Sequence, residues 1–177
     1  MKICIIGLGS IGRKHLNNIK KVMLDKKKSH KIDALRHEKK ELPEEIRSQI
    51  QQEYYSYEEL PYDYDVIFIT NPTSKHFEAI QAVSSKTRAM FIEKPLFENN
   101  SYQLSELHLL KENIYYVACP LRHKAILQYV KKIIESGESI YAVRAISTSY
   151  LPEWRAGVDY RKVYSAQKEL GGGVTLD

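Results

Sequence analysis

The sequence predicts an α/β fold in which a parallel sheet carries helices on both faces. Three observations support this. Short apolar runs alternate with segments of helical spacing as far as about residue 120, the pattern of successive βαβ units. The first apolar run leads straight into Gly7-Leu8-Gly9-Ser10-Ile11-Gly12. Beyond residue 120 the alternation stops, and one amphipathic segment, one long β-rich run and an irregular stretch lead to Gly171-Gly172-Gly173 and Asp177. The expected organisation is a doubly wound domain over 1–120, followed over 121–177 by the incomplete start of a second α+β domain.

Lys2–Ile6 is a short apolar run ended by glycine, as a strand buried on both faces requires. From Ser10 to about Leu24, Ile11, Leu16, Ile19, Val22 and Met23 recur at helical spacing. Ile32–Arg36 reads as a weaker strand. Pro43 suits the first turn of a helix that puts Ile46 and Ile50 on one face. Tyr54–Tyr57 reads as a short strand and Tyr57–Leu60 as a short helix. Asp65–Thr70 is the clearest strand, and Asn71-Pro72-Thr73 ends it and caps a helix reaching about Val83. Ala89–Glu93 is a strand broken by Pro95. Ser101–Glu112 reads as a helix with Leu104, Leu107 and Leu110 or His108 inward, and Ile114–Cys119 as a strand ended by Pro120. Ile126–Ser136 is strongly amphipathic, with Gly137 as its stop. Ser139–Tyr150, rich in β-branched and aromatic residues, reads as a strand. A lone strand cannot pair its edges, so this one is expected to pair with another chain or to be poorly ordered.

The chain has 177 residues, 43 % apolar and 28 % charged, with 27 Lys+Arg against 22 Asp+Glu and a net charge of +5. This is an ordinary globular composition, which excludes disordered, collagenous and coiled-coil classes. No apolar run approaches the ~20 residues of a membrane span, and the opening run is too short for a secretory signal. Cys4 and Cys119 fit no metal or disulfide spacing and read as reduced thiols, so a cytoplasmic protein without membrane attachment is expected. Between Arg13 and Lys40, 11 Lys/Arg face three acids. Such a block suits either a solvated helix face or an anionic ligand. It lacks aromatic residues to stack a base, and no nucleic-acid partner is expected.

Three pieces carry chemistry. In the glycine loop, Gly7 allows the tight turn, Gly9 lets backbone approach a pyrophosphate, and Gly12 lets helix and strand pack closely. Ser10 and Ile11 belong to the same loop, where the helix N-terminus offers N–H groups to phosphate. This is the signature of a Rossmann-type sheet. At the end of the second strand, Arg36 offers a planar fork for a 2′-phosphate, with His37 beside it, which favours NADP over NAD. The rival reading makes Glu38, or Asp33 under a shifted register, the ribose ligand. The third piece is Glu93-Lys94-Pro95 at a strand's carboxyl end, where open α/β sheets place ligands. Proline holds Lys94 extended, and a lysine there can move a proton to or from a substrate hydroxyl or simply pair with Glu93 at the surface.

In this order, together with Asn71-Pro72-Thr73-Ser74-Lys75-His76, Pro120-Leu121-Arg122-His123 and Gly171-Gly172-Gly173-Val174-Thr175-Leu176-Asp177, the sequence resembles the Gfo/Idh/MocA family of NAD(P)-dependent oxidoreductases. Trp154, Asp159-Tyr160-Arg161, Tyr164-Ser165-Ala166 and Glu169-Leu170-Gly171-Gly172-Gly173 are similar to members found with polysaccharide and acidic-sugar biosynthesis. The resemblance implies hydride transfer between the cofactor and a hydroxyl carbon of a sugar, sugar acid or nucleotide sugar, in a homo-oligomer that the 139–150 strand could help build. It places Thr70, Asn71 and Pro72 along the nicotinamide half, Glu93 on the nicotinamide ribose and Lys94 on the substrate hydroxyl. His76 either packs against the sheet or touches cofactor. Arg122 either reaches cofactor or substrate or makes a structural ion pair. Trp154 and Arg155 either close over the cofactor or simply pack and carry surface charge. Asp177 matches an aspartate beside the reacting carbon. The family motif continues to an acid/base histidine four residues beyond that aspartate, so the 177-residue chain alone is expected to bind cofactor and turn over little. The alternative is a short, non-catalytic dinucleotide-binding protein.

Overall fold

The computed structural model describes every residue except Ser147, Ser149, Trp154, Arg155, Gly171 and 174–177. Its six strands are β1 (Lys2–Ile6), β2 (Lys31–Leu35), β3 (Gln52–Tyr54), β4 (Val66–Ile69), β5 (Ala89–Ile92) and β6 (Ile114–Val117). They pair in parallel in the order β3-β2-β1-β4-β5-β6. The helices are α1 (Ser10–Asp25), α2 (Glu44–Arg47), α3 (His76–Val83) and α4 (Ala125–Glu135). The chain thus winds outward from β1 on one side and from β4 on the other, the Rossmann order.

Strand alternation divides the apolar residues between two cores. Ile3, Ile5, Ile32 and Ala34 pack with Leu16 and Ile19 of α1 and with Ile46 and Ile50 at α2. Cys4, Ile6, Leu35, Ile67, Ile69, Met90 and Ile92 pack on the opposite face with Ala79, Ile80 and Val83 of α3. Because β1 is buried on both faces and β4 is buried on one and half-buried on the other, their sequences are continuous apolar runs rather than alternating ones.

The structure corrects four expectations. The third strand is Gln52–Tyr54, not Tyr54–Tyr57, because an edge strand with half-exposed faces needs no apolar run. Residues 57–60 form turns, not a helix. The helix expected over Ser101–Glu112 is reduced to a 3-10 turn, Leu104–Leu107, ended by His108 at φ 51°. Only Leu107 reaches the core there; Leu104 is 59 % exposed, so a continuous helix would have no stripe to bury. The fourth correction is the strand over Ser139–Tyr150. Its residues 139–146 are irregular and exposed, because no described strand lies beside them to complete a ladder. The helix before it does form, as α4, yet none of its residues is buried. Among the described residues no helix is long and apolar enough to cross a membrane.

Candidate functional site

Register brings most of the expected residues to one edge of the sheet. Ile6 pairs with Leu35 and Ile69, Ile69 with Ile92, and Ile92 with Val117. The residues one step beyond that row are Arg36, Gly7, Thr70, Glu93 and Ala118. Backbone bonds extend the ladder to them: Gly7 N–H to Leu35 O at 3.0 Å, Thr70 to Ile6 at 2.9 Å, Glu93 to Ile69 at 2.9 Å and Ala118 to Ile92 at 2.7 Å. Three strand spacings separate Arg36 from Glu93, roughly 14 Å. This line crosses the β1/β4 switch point, where doubly wound sheets bind ligands.

The glycine loop is built for close approach. Gly7 sits at φ 91°, and a Cβ there would lie 2.8 Å from the backbone of Asn71. A Cβ on Gly12 would lie 2.0 Å from the Gly7 carbonyl oxygen and 2.9 Å from Thr70 Oγ1. The Thr70 hydroxyl closes the loop from β4, at 2.9 Å from Ile6 O and 2.6 Å from Gly7 O. Gly9 is different, since a Cβ there would meet nothing within 4 Å. That space adjoins the start of α1, where no side chain caps the helix and its first N–H groups have no intrahelical partner. Ser10 is exposed and Ile11 half-buried beside it. Open space over uncapped N–H groups is the environment a pyrophosphate requires, and the chain therefore fits a dinucleotide here.

Arg36 is held at the end of β2. Its guanidinium bonds to the Glu53 carboxylate on β3 and to the Lys40 carbonyl, and Glu53 also pairs with Arg47 at 3.2 Å. His37 is exposed next to it. Glu38 is exposed and paired with Lys40 at 2.5 Å, and those contacts with Lys40 hold its carboxyl below the usual range. Asp33 lies in mid-strand, buried, and accepts the Tyr64 hydroxyl at 2.8 Å, away from the strand ends. The lysines of the Arg13–Lys40 block are exposed, on α1, in the loop after it, at the start of β2 and in the loop beyond β2.

On the β4 side, Asn71 is buried and its Oδ1 has no hydrogen-bond partner, while Nδ2 reaches Lys75 O at 3.3 Å. An orphaned buried amide oxygen costs free energy unless a ligand donates to it, and this one adjoins the glycine loop. Pro72 is exposed. His76 is buried, with Nε2 3.0 Å from Asn71 O and Nδ1 3.1 Å from Leu96 O. It ties the turn after β4 to the loop after β5. Burial pushes its pKa below the ordinary histidine value, against hydrogen bonds that favour the charged ring.

Glu93 and Lys94 stand at the end of β5, before a cis Lys94–Pro95 bond. Glu93 Oε1 lies 2.6 Å from His15 Nε2 of α1, and Glu93 Oε2 accepts the Lys94 backbone N–H at 3.3 Å. Lys94 is half-buried. Arg122 is exposed beyond β6, its guanidinium 5.2 Å from the centre of the Tyr116 ring. Tyr164 returns to the site, sharing a hydrogen bond with Thr73 Oγ1. Trp154, Arg155 and Asp177 lie outside the described residues. Among the described residues no His/Cys/Asp/Glu group could hold a metal ion, and Cys4 and Cys119 are free thiols.

Sequence reasoning missed three of these contacts. Glu53, in a polar edge strand, gave no signal. Tyr164 could be placed only by the fold. His15 could have been found: it precedes the inward Leu16, one turn past Gly12, so it faces the sheet rather than solvent.

The GFO_IDH_MocA family model, described as an oxidoreductase family with an NAD-binding Rossmann fold, matches residues 1–118. Similar solved structures include scyllo-inositol dehydrogenase from Lactobacillus casei with bound NAD(H) and scyllo-inositol, at TM-score 0.56 and 20 % identity over 77 % of this chain and 41 % of that one. A levoglucosan dehydrogenase in complex with NADH and levoglucosan matches at TM-score 0.62 and 20 % identity, over 77 % and 40 %. The WlbA dehydrogenase from Chromobacterium violaceum, in complex with NADH and UDP-GlcNAcA, matches at TM-score 0.59 and 18 % identity, over 77 % and 40 %. This chain therefore spans about two fifths of the length of these structures. A search of the curated proteins finds no match.

Proposed function

The chain belongs to the Gfo/Idh/MocA oxidoreductase family, with its NAD-binding Rossmann fold, and on that premise we propose that the row of strand ends from Arg36 to Glu93 binds NADP for hydride transfer at a sugar-type hydroxyl carbon. The observation that carries this reading is the register that aligns Arg36, Gly7, Thr70 and Glu93. The nicotinamide, when bound, supplies the hydride acceptor or donor. The N–H groups over Gly9–Gly12 hold the pyrophosphate, and Arg36, largely buried and ion-paired with Glu53, is the guanidinium assigned to a 2′-phosphate. Thr70, Asn71 and Pro72 border the nicotinamide half. Glu93 holds the nicotinamide ribose. Lys94 takes or returns the proton of the substrate hydroxyl, and Asp177 stands beside the reacting carbon. Arg122, exposed beyond β6, faces the substrate side in this reading. A sugar, sugar acid or nucleotide sugar suits this reading, since the solved relatives hold scyllo-inositol, levoglucosan and UDP-GlcNAcA.

Titration with NADPH and NADH, followed by the fluorescence of the reduced cofactor, tests the proposal. Saturable binding of NADPH is expected, and Arg36→Ala should weaken it about tenfold, the loss of one charge-assisted contact, while NADH changes less than about twofold. Equal losses for both would remove the 2′-phosphate from the reading. No binding of either would remove the cofactor.

A further inference from the structure

We infer that His15 is a positioning residue for the nicotinamide end of the site, acting through Glu93, an inference that rests on the dinucleotide reading above. Its Nε2 lies 2.6 Å from Glu93 Oε1, and the two side chains are only 14 % and 13 % exposed. The imidazole is set by aromatic rings on two strands, tilted 5.6 Å from Phe68 and edge-on 5.1 Å from Phe91, which are themselves 5.1 Å apart. Packing alone would be served by a phenyl ring. What the imidazole adds is one N–H aimed at one carboxylate oxygen.

That bond leaves Glu93 little freedom, because its other oxygen accepts the Lys94 amide. An ionised carboxylate offers about four acceptor positions. His15 and the Lys94 amide occupy two of them, and the remaining positions are presented in a fixed orientation to a vicinal diol such as a ribose. His15 also sits on α1, one turn past Gly12. The helix whose start faces the pyrophosphate therefore also sets the carboxylate that meets the ribose beyond it. The spacing between two recognition points of one ligand is built into a single rigid element, a preorganisation that needs no adjustment on binding.

The test compares two ligands on the unaltered chain and four variants. ADP carries the adenosine and both phosphates but lacks the nicotinamide ribose, which NADPH has. His15→Phe keeps a ring against Phe68 and Phe91 and removes the donor; it should weaken NADPH about tenfold and leave ADP within about twofold. His15→Gln restores an N–H and should recover most of the NADPH affinity. In a Glu93→Gln background, His15→Phe should add little, since the bond it removes is already weakened. Equal losses for ADP and NADPH, or no loss for NADPH, would overturn the inference while leaving dinucleotide binding intact. Failure of the unaltered chain to bind either ligand would overturn the dinucleotide reading itself, and the inference with it. Should His15→Phe not fold, the unaltered chain still decides. Its His15 imidazole ¹⁵N resonances should move on addition of NADPH and stay in place with ADP; identical responses would count against the role.

Discussion

β4 and the segment 140–146 are both short runs dominated by aliphatic and aromatic side chains, yet they end in opposite states. Val66–Ile69 lies between β1 and β5 with α3 across one face. Ile140, Tyr141, Val143 and Ile146 are exposed in irregular backbone. The helices repeat the contrast, for α1 buries Gly12, Leu16 and Ile19, whereas α4, with the more strongly amphipathic sequence, buries nothing. β-propensity measures fit to a half-buried pleated surface, and amphipathicity names the side that would be buried. Neither supplies the surface to bury it against.

Three substitution experiments can break or sharpen this contrast. The largest effect is expected at Gly12, where a Cβ would lie 2.0 Å from a backbone oxygen. Gly12→Ala should cost about 3 kcal/mol or more in urea unfolding and abolish dinucleotide binding. Gly137, at φ 83° with open space around it, should lose only about 1 kcal/mol on the same change. Equal costs would mean the second region is as constrained as the first. Next, Ile67→Ala in the sheet core should cost about 3 kcal/mol, against less than about 0.5 kcal/mol for Ile133→Ala on α4. A comparable loss at Ile133 would show that α4 is packed in solution.

The smallest effect is a pH dependence confined to the first region. Burial lowers the pKa of His76 in the folded chain relative to the unfolded one. Below an unfolded value of about 6.5, the unfolded chain therefore binds more protons at this site. The His76 contribution is present above that value and is lost as pH falls through the folded pKa. Unfolding curves between about pH 7 and 5 should show stability falling with acid, and His76→Gln should flatten that part of the slope. An unchanged slope would remove His76 from the account.

The sheet was legible because β1, β4 and β5 have one face buried and the other buried or half-buried, which leaves continuous apolar runs that punctuation by Gly7, Asn71-Pro72 and Pro95 makes easy to delimit. The glycine loop was legible because its residues are adjacent in sequence. The rest of the site depends on strand order, which no local pattern encodes. Arg36 and Glu53 meet only because β2 lies beside β3, and His15 meets Glu93 only because α1 crosses toward β5. Leu104, Leu107 and Leu110 had helical spacing but no common surface to cover, so the 101–112 expectation failed where the spacing was most persuasive.

The place of β1 in the middle of the sheet also shapes how the molecule is assembled in time. β1 is made before either neighbour, and its second edge waits for β4, paired as Ile3 with Val66. At about 5–20 residues per second, ribosomal synthesis of the intervening chain takes on the order of several seconds. Throughout that interval Ile3, Ile5 and Ile6 present an apolar, unpaired strand edge, which is a template for wrong partners. The nascent chain is thus exposed to aggregation until β4 has been made. The arrival of Asp65–Ile69 ends that exposure, because closing β1 against β4 joins the two halves of the sheet.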